Sequence, residues 1–423
     1  MSVFKAYDVR GIYPTDIDEA LFTKIGQAAV KILKARTMVV GRDARLSSPS
    51  LAQAMIQGIC RAGAEVIDIG MASTPMLYLA TAILRADGGV QITASHNPGR
   101  YNGCKWCRAD AVPVAYETGL AEMEKAVASG DLPVAASPGS VRQQDIGEEY
   151  RRRLLAFASG IGRLRIAIDA GNGVMGAFLP ELLAKLPCEV IPLYFEPDGN
   201  FPHHEANPLK RENLRDLMRV IREKSADLGV AFDGDGDRCC FVDENAEPVP
   251  ADFITALLAR EILGREPGAA VLYDLRSSWV CKEEIERLGG RALMCRVGHS
   301  YIKAMMRKHQ AVFAGELSGH FYFRDLHYTD NAEMAMLMVL AILSRQKARL
   351  SELVAPFRRY FATGEINFAV ADKDKAMAAV EQSLAAGGEV LRLDGLSIIH
   401  RDWWCNVRPS NTEPVLRLNL EAR

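Results

Sequence analysis

One arrangement recurs three times in this 423-residue chain and limits its fold more than any other feature. An apolar run leads into a polar or Gly/Ser-rich turn, then a helix, then a glycine and a second apolar run. The first copy is "TMVVGRDARLSS", a helix over about Pro49–Ala62, and "AEVIDIG". The second is "RIAIDAGNG", a helix over about Met175–Leu186, and "CEVIPLYF". The third is "AAVLYDLRSS", a helix over about Val280–Leu288, and "GRALMCRVG". Short apolar runs alternating with amphipathic helices predict β-α-β units and α/β domains with mixed or parallel sheets. The copies lie too far apart for a solenoid, whose period is about 20–50 residues.

At about 150 residues per domain the length suggests roughly three such domains. The polar stretch Leu132–Asp145 reads as a loop leaving the first, the second ends after "CCFVDENAEPVP", and the helical run "DFITALLAREIL" opens the third. A long helix near Asn331–Arg345 comes late in the third domain. From Thr363 the pattern changes to one helix (about Lys373–Ala386) among strands such as "GEINFAV", "LSIIH" and "VLRLNLEA". The expected domains are therefore 1–147, 148–249 and 250–362, all α/β, and a small α+β domain at 363–423. A unit that small is marginal alone and needs to pack on the rest.

A formal net charge of −2 with 25% charged residues argues against nucleic-acid or membrane partners bound through charge. "MSVFKAYDVRG" lacks a signal-peptide pattern, and no apolar run approaches the ~20 residues of a membrane span. Nine scattered cysteines, an odd number, read as reduced thiols, and the expected location is cytoplasmic. Cys104 and Cys107 form a C-x-x-C, but without a second ligand pair the spacing reads as coincidence.

Four polar loops carry chemistry. In "ITASHNPGRYNGCKW", Ser95 follows an apolar run, and on these residues alone it is a nucleophile, a phosphate carrier, a turn former or a serine with no particular task. In "LGVAFDGDGDRCCFVDE", Asp233, Asp235 and Asp237 alternate with glycines, which lets a tight loop direct successive carboxylates at one point. An acidic hairpin turn is the plainer reading, but three aspartates in five residues favour a cation. An EF-hand does not fit: its sixth loop position would be Arg238 rather than Gly, and the flanks read as strands. An all-oxygen carboxylate set suits Mg²⁺.

"VRPSNTEP" offers Arg408, Ser410, Asn411 and Thr412, a set able to surround a phosphate, although structural turns share that composition. "AGELSGHFYF" places Glu316, Ser318 and His320 in a loop, where a carboxylate and a hydroxyl match sugar hydroxyls. "RVGHSYIK" adds His299 and Lys303, and "AYDVRG" adds Arg10. A serine accepting a phosphoryl group needs a cation, a second anion site and a base, since phosphoryl transfer is mostly positioning and charge neutralisation.

Taken together, these segments resemble the α-D-phosphohexomutases, in particular the phosphomannomutase/phosphoglucomutase group. "TASHNP" is similar to that family's phosphoserine loop, "DGDGDR" to its metal loop, "GELSGH" to its sugar-recognition loop and "RPSNTEP" to its phosphate-binding loop, all in the family's order. "AYDVRG", "GRDAR", "YNGCK" and "VGHSYIK" add to the resemblance, which covers essentially the whole chain.

The resemblance implies four domains around a central cleft, each giving one loop. It implies that phosphoserine 95 donates to a hexose phosphate, that a bisphosphorylated sugar turns over, and that its other phosphate returns to Ser95. Ser95, Asp233, Asp235 and Asp237 would hold Mg²⁺, with Arg10, His96 and Lys105 around the phosphoserine. Lys105 and His96 are the favoured acid/base groups, with Arg10 as electrostatic partner. Tyr7, Arg238, Arg276, His299, Glu316, Ser318, His320, Arg408, Ser410, Asn411 and Thr412 would bind substrate. A hexose 1,6-bisphosphate is the expected activator, hexose phosphates are the expected partners, and the expected state is a monomer or weak dimer.

Two departures stand out. Arg276 in "YDLRSS" occupies a place where some relatives carry lysine; an arginine keeps the charge but shuttles protons poorly, so phosphate contact is its expected task. The chain stops at "LRLNLEAR", where relatives continue into a terminal helix, so the fourth domain is expected to be less covered and more mobile. GELSGH favours mannose or glucose phosphates over an N-acetylated sugar, by resemblance. The alternatives are a phosphoglucosamine mutase and a Mg²⁺-dependent phosphosugar phosphatase using Ser95. The second anion site argues against the phosphatase, and a non-catalytic binding module would leave Ser95 without a task.

Overall fold

The computed structural model describes residues 2–410 and 415–423. It divides into two units, Met1–Val249 with Ser318–Ser351, and Pro250–Leu317 with Glu352–Arg423.

The first unit opens with strands β1 (Val9–Ile12), β2 (Thr37–Arg42), β3 (Glu65–Met71), β4 (Gly88–Ile92), β5 (Tyr101–Arg108) and β6 (Val141–Gln143). They form one sheet in the order β1-β5-β4-β2-β3-β6. β2 runs parallel to both β3 and β4, whereas β5 pairs antiparallel with β4 and β1. Parallel neighbours need a crossover, and the helix Ser48–Arg61 supplies the one from β2 to β3. Phe22, Ile25, Met38, Leu51, Met55 and Val90 belong to its buried core. Each such side chain contributes roughly 1.5–3 kcal/mol by leaving water. The stretch read as a loop over 132–145 contains β6, which extends the sheet by pairing with β3. Its three side chains are exposed, so backbone hydrogen bonds alone hold it and no apolar pattern marks it.

The second sheet is β7 (Arg165–Asp169), β8 (Glu189–Leu193), β9 (Leu228–Phe232), β10 (Cys239–Asp243) and β11 (Pro248–Val249), in the order β11-β10-β9-β7-β8. β7 is parallel to β8 and β9, and β10 turns back antiparallel to β9. The helix between β7 and β8 is Met175–Leu183, shorter than the pattern predicts.

In the second unit β12 (Ala270–Asp274) lies parallel to β13 (Arg291–Cys295) and to β14 (Phe313–Gly315). All three predicted β-α-β repeats are thus parallel pairs: β2/β3, β7/β8 and β12/β13. β15 (Phe321–Phe323) and β16 (Thr329–Asp330) form an antiparallel pair in the first unit.

The repeat also sets where the loops fall. The serine loop joins β4, which is parallel to β2, to its antiparallel partner β5. The triple-aspartate loop joins β9, parallel to β7, to its antiparallel partner β10. These two connections are the same topological position in successive domains.

The C-terminal strands are β17 (Phe361–Ala362), β18 (Ile366–Ala369), β19 (Glu389–Leu391), β20 (Leu396–Ile399), β21 (Trp403–Pro409) and β22 (Val415–Ala422), paired throughout as antiparallel ladders. Leu396, Ile398 and Cys405 form their small core, with Met377 and Val380 of the helix Lys373–Leu384 packed against it. The architecture is therefore three α/β domains with mixed sheets and an α+β domain. Among the described residues, no helix is long and apolar enough to cross a membrane.

Candidate active site

Ser95 is fully buried and adopts a left-handed backbone conformation, φ +52°. A non-glycine residue there stores strain on the order of 1–3 kcal/mol, which the surrounding contacts must hold in place. Those contacts come from one arginine. Arg45, 1% exposed, donates from Nη2 to the carbonyls of Ser95 (2.7 Å) and Asn97 (2.6 Å). Its Nη1 donates to those of Pro98 (2.8 Å) and Tyr101 (2.9 Å), and Nε donates to Asp43 Oδ2 (3.0 Å). Every N–H of the guanidinium is engaged. The Ser95 amide in turn donates to Thr93 Oγ1 at 2.8 Å.

The triple-aspartate loop closes against this turn. Gly234 has to be glycine, because a Cβ would lie 2.7 Å from the Ser95 carbonyl oxygen. Ser95 Oγ donates to Asp233 Oδ2 at 2.8 Å. Lys105, on β5, donates from Nζ to Asp235 Oδ2 at 2.7 Å and to Asp237 Oδ2. Asp235 also accepts from Thr74 Oγ1 (2.5 Å), at the N-terminus of the helix Thr74–Ile83, where the helix dipole favours a carboxylate.

One oxygen of Asp233, Asp235 and Asp237 each can meet within 4.8 Å, and all three side chains are buried. Among the described residues, Asp235 Oδ1 and Asp237 Oδ1 are buried with no hydrogen-bond partner. Burial and its two neighbours push the Asp233 carboxyl well above its ordinary value. Burial also opposes charge on Asp237, but Lys105 and His320 outweigh it and hold that carboxyl well below. Lys105 and Arg238, the latter 3.7 Å from Asp233 Oδ2 and 3.9 Å from Asp237 Oδ1, face the cluster. Its oxygen-only donors, with two atoms lacking a hydrogen-bond partner among the described residues, fit a hard divalent cation such as Mg²⁺.

The cationic groups surround this centre. His96 Nδ1 lies 3.3 Å from Ser95 Oγ. Burial, then the charges of Arg238, Arg10 and Lys105, lower its pKa well below the usual value, so the imidazole is neutral near pH 7. Burial would lower Lys105, but Asp235, Asp237 and Asp233 prevail and keep it cationic. Arg10 donates to Asn97 Oδ1 (2.7 Å) and Asp8 Oδ2 (2.5 Å). Tyr7 is half-buried just ahead of β1.

Arg238 donates from Nε to His320 Nε2 at 3.1 Å, so a neutral His320 carries its proton on Nδ1, 3.0 Å from Ser318 Oγ. His320 Nε2 is 3.3 Å from Asp237 Oδ1. The first unit therefore brings together Ser95, His96, Lys105, Arg10, the three aspartates, Arg238, Ser318 and His320.

The second unit assembles the remaining described residues. Asp274, at the end of β12, accepts from Arg276 Nη2 at 2.7 Å and from Arg276 Nε at 3.2 Å. Burial opposes its charge, yet Asp274, Glu316 and Glu365 raise the Arg276 pKa above its ordinary value. Glu316 Oε1 accepts from the Gly298 amide at 3.2 Å, directly before His299, which starts the helix His299–His309. Lys303 Nζ lies 3.5 Å from His299 Nδ1. Arg408 donates to Glu365 Oε2 at 2.9 Å, and Arg417 to Glu365 Oε1 at 3.2 Å. Arg417 reaches Ser410 Oγ at 3.4 Å, and Lys373 donates to the Ser410 carbonyl at 3.0 Å. Asn411 and Thr412 lie outside the described residues.

Comparison with known proteins settles the family. The phosphoglucomutase/phosphomannomutase alpha/beta/alpha domains I, II and III match residues 1–132, 148–246 and 250–360, and that family's C-terminal domain matches 365–423. The chain belongs to the phosphoglucomutase/phosphomannomutase family. A phosphomannomutase of Salmonella typhimurium is 39% identical, with 100% of this chain and 95% of the relative covered. One of Methanocaldococcus jannaschii is 38% identical, with 100% and 94% covered. A crystal structure of a phosphoglucomutase/phosphomannomutase family protein from Burkholderia thailandensis superposes with a TM-score of 0.93 at 33% identity, covering 99% of this chain and 93% of that one. As a member of this family the protein is a phosphohexomutase, an enzyme of reversible phosphoryl transfer on hexose phosphates.

Several residues of this phosphohexomutase carry roles that sequence reasoning did not assign. Arg45 was visible only as part of "GRDAR", where an arginine and two apolar runs give no hint of four distant carbonyls. Thr74, Glu365 and Arg417 act through equally remote partners. The C-x-x-C pair gains no role: Cys104 packs in the core with Val9 and Trp106, Cys107 beside Tyr78 and Ala111, and both are free thiols. An odd separation of three along a strand sends the two side chains to opposite faces.

Proposed function

We propose that this phosphohexomutase interconverts the 1- and 6-phosphates of mannose or glucose through a phosphoryl group carried on Ser95. In the first half-reaction a free sugar hydroxyl attacks the phosphorus on Ser95, the Oγ–P bond breaks, and a bisphosphorylated sugar forms. In the second half-reaction Ser95 Oγ attacks the other phosphate, the P–O bond to the sugar breaks, the sugar oxygen leaves as a hydroxyl taking up a proton, and the phosphoserine is regenerated. The observation that carries this reading is Ser95 Oγ itself. It is buried, held in a left-handed turn by Arg45, and in hydrogen-bond contact with the aspartate cluster.

Asp233, Asp235 and Asp237, with Ser95, would hold Mg²⁺. Once bound, the ion would draw off negative charge from the transferring phosphoryl group. Lys105, held cationic by the aspartates, and Arg10 add fixed positive charge, so of the two favoured acid/base groups the neutral His96 takes the proton of the attacking hydroxyl. We assign Glu316, Ser318 and His320 to the sugar, and Tyr7, Arg238, Arg276 and His299 to substrate binding. Arg408, Ser410, Asn411 and Thr412 we assign to the phosphate that does not react. A hexose 1,6-bisphosphate would prime Ser95, the location would be cytoplasmic, and the domains would divide after residues 147, 249 and 362.

The test is phosphorus NMR of mannose 1-phosphate and glucose 1-phosphate with Mg²⁺ and a catalytic amount of glucose 1,6-bisphosphate. Growth of the 6-phosphate signal is expected, whereas inorganic phosphate alone would replace the mutase by a phosphatase. Intact mass after priming should show one added phosphate on the wild type and none on Ser95→Ala. A Ser95→Ala variant that keeps both phosphate and turnover removes the assignment.

A further inference from the structure

A carboxylate stands among the arginines of the proposed phosphate subsite. Glu365 Oε2 accepts from Arg408 at 2.9 Å and lies 3.7 Å from Arg276 Nη1, while Oε1 accepts from Arg417 at 3.2 Å. Arg408 and Arg276 are almost fully buried, with 9% and 8% of their side chains exposed. Buried guanidinium groups are costly without an anion, and a two-oxygen carboxylate meets the same planar fork that a phosphate meets. Burial alone would raise the Glu365 pKa, but Arg408, Arg276 and Arg417 together bring it below the ordinary value, so it is ionised at neutral pH.

The arrangement is incomplete in one direction. Among the described residues Arg408 Nε is buried without a hydrogen-bond partner, so a single carboxylate leaves part of the guanidinium edge unsatisfied. A phosphate dianion has more acceptor oxygens and more charge than a carboxylate. Glu365 keeps 27% of its side chain exposed and follows Gly364, at φ +68°, between β17 and β18, so its carboxylate has open solvent to move into.

We propose that Glu365 is an internal stand-in for the substrate phosphate: it neutralises Arg408 and Arg417, beside an Arg276 already paired with Asp274, while the subsite is empty, and is displaced when the phosphate binds. The inference rests on the reading of Arg408 as a phosphate ligand. Its consequence is a tax on affinity. Substrate sees only the fraction of molecules whose arginines are released, so apparent binding is weaker than the arginines alone would give. That tax speeds release of a doubly charged product, and it keeps buried guanidinium groups paired between turnovers.

The experiment is isothermal calorimetry of glucose 1-phosphate and of inorganic phosphate on the full chain in EDTA, where the metal-dependent step is idle. Glu365→Gln removes the competing charge at constant shape, and both probes should bind about tenfold more tightly. Glu365→Asp, with its shorter reach, should fall between that variant and the wild type, and it carries the test if circular dichroism shows Glu365→Gln unfolded. Unchanged or weaker inorganic phosphate binding overturns the proposal. So does a loss confined to glucose 1-phosphate, which would make Glu365 a sugar ligand. Arg408→Ala separates the two levels of argument. If it weakens both probes while Glu365→Gln tightens neither, only the stand-in role fails; if it changes neither, the phosphate subsite fails with it.

Discussion

The serine region of the first unit and the arginine cluster of the second both concentrate charge, but they hold it differently. Around Ser95 every strong group is locked by a buried partner: Arg45 uses all its donors on Asp43 and four carbonyls, and Lys105 bridges two aspartates. Around Arg408 the pairing anion is a partly exposed Glu365. A group that forms and breaks a covalent bond gains from fixed geometry, because a displacement near 1 Å costs about 10²-fold in rate. A group that grips and releases a charged ligand gains from an exchangeable partner. The first region should therefore respond to mutation in kcat and stability, the second in KM.

The largest effect is expected at Arg45. Arg45→Ala strands the buried Asp43 carboxylate and takes a donor from four carbonyl oxygens, of which Pro98's keeps the Tyr101 amide, and urea denaturation should show a loss of about 3–5 kcal/mol. Arg45→Lys keeps the charge, but three donors on a point charge cannot replace the planar fork. Its kcat should fall roughly 10–100-fold with KM for glucose 1-phosphate nearly unchanged, since the proposed phosphate grip lies elsewhere. A rise in KM at constant kcat would erase the contrast between the regions.

A second effect tests how far the locked character of the first unit extends. Glu333 is buried; its Oε1 accepts from Tyr150 at 2.9 Å, and among the described residues its Oε2 has no hydrogen-bond partner. Burial raises its carboxyl from 4.5 to about 7. The folded protein therefore holds this proton more tightly than the unfolded chain does. The resulting stability is fully present below about 4.5 and is lost as pH rises through about 7. Glu333→Gln should remove that loss. Its Tm should match the wild type near pH 4.5 and exceed it at pH 8, by a stability difference on the order of 3 kcal/mol. Parallel pH profiles would mean that water or a relaxed packing already satisfies Oε2.

How much of this was legible follows from how local each feature is. "DGDGDR" could be read because the glycines and carboxylates that make the cluster lie within a few residues. The β-α-β repeats could be read because periodicity and turn chemistry are local too, and all three proved to be parallel pairs. Arg45 could not, because its bonds go to carbonyls of Ser95, Asn97, Pro98 and Tyr101, and backbone acceptors leave no mark on side-chain pattern. β6 was missed for the same reason. Glu365 escaped because its partners arrive from β21, β22 and the turn after β12, and a carboxylate beside glycine in a polar stretch looks like any solvated loop charge.

The smallest effect, on stability, is expected at Arg417, and it sharpens the comparison most directly. Arg417 on β22 is 26% exposed and shares Glu365 with Arg408, so its ion pair is partly screened and shared. Arg417→Lys should shift unfolding free energy by less than about 1 kcal/mol. Yet if Arg417 helps to hold the phosphate in place of Glu365, loss of the two-pronged fork should raise KM for mannose 1-phosphate and glucose 1-phosphate several-fold, with kcat largely kept. The split is what matters: Arg45→Lys moves kcat, and Arg417→Lys moves KM. An Arg417→Lys enzyme that loses kcat as steeply as Arg45→Lys would mean that the arginine cluster also fixes the reacting geometry, and the division between a locked and an exchangeable region would be wrong.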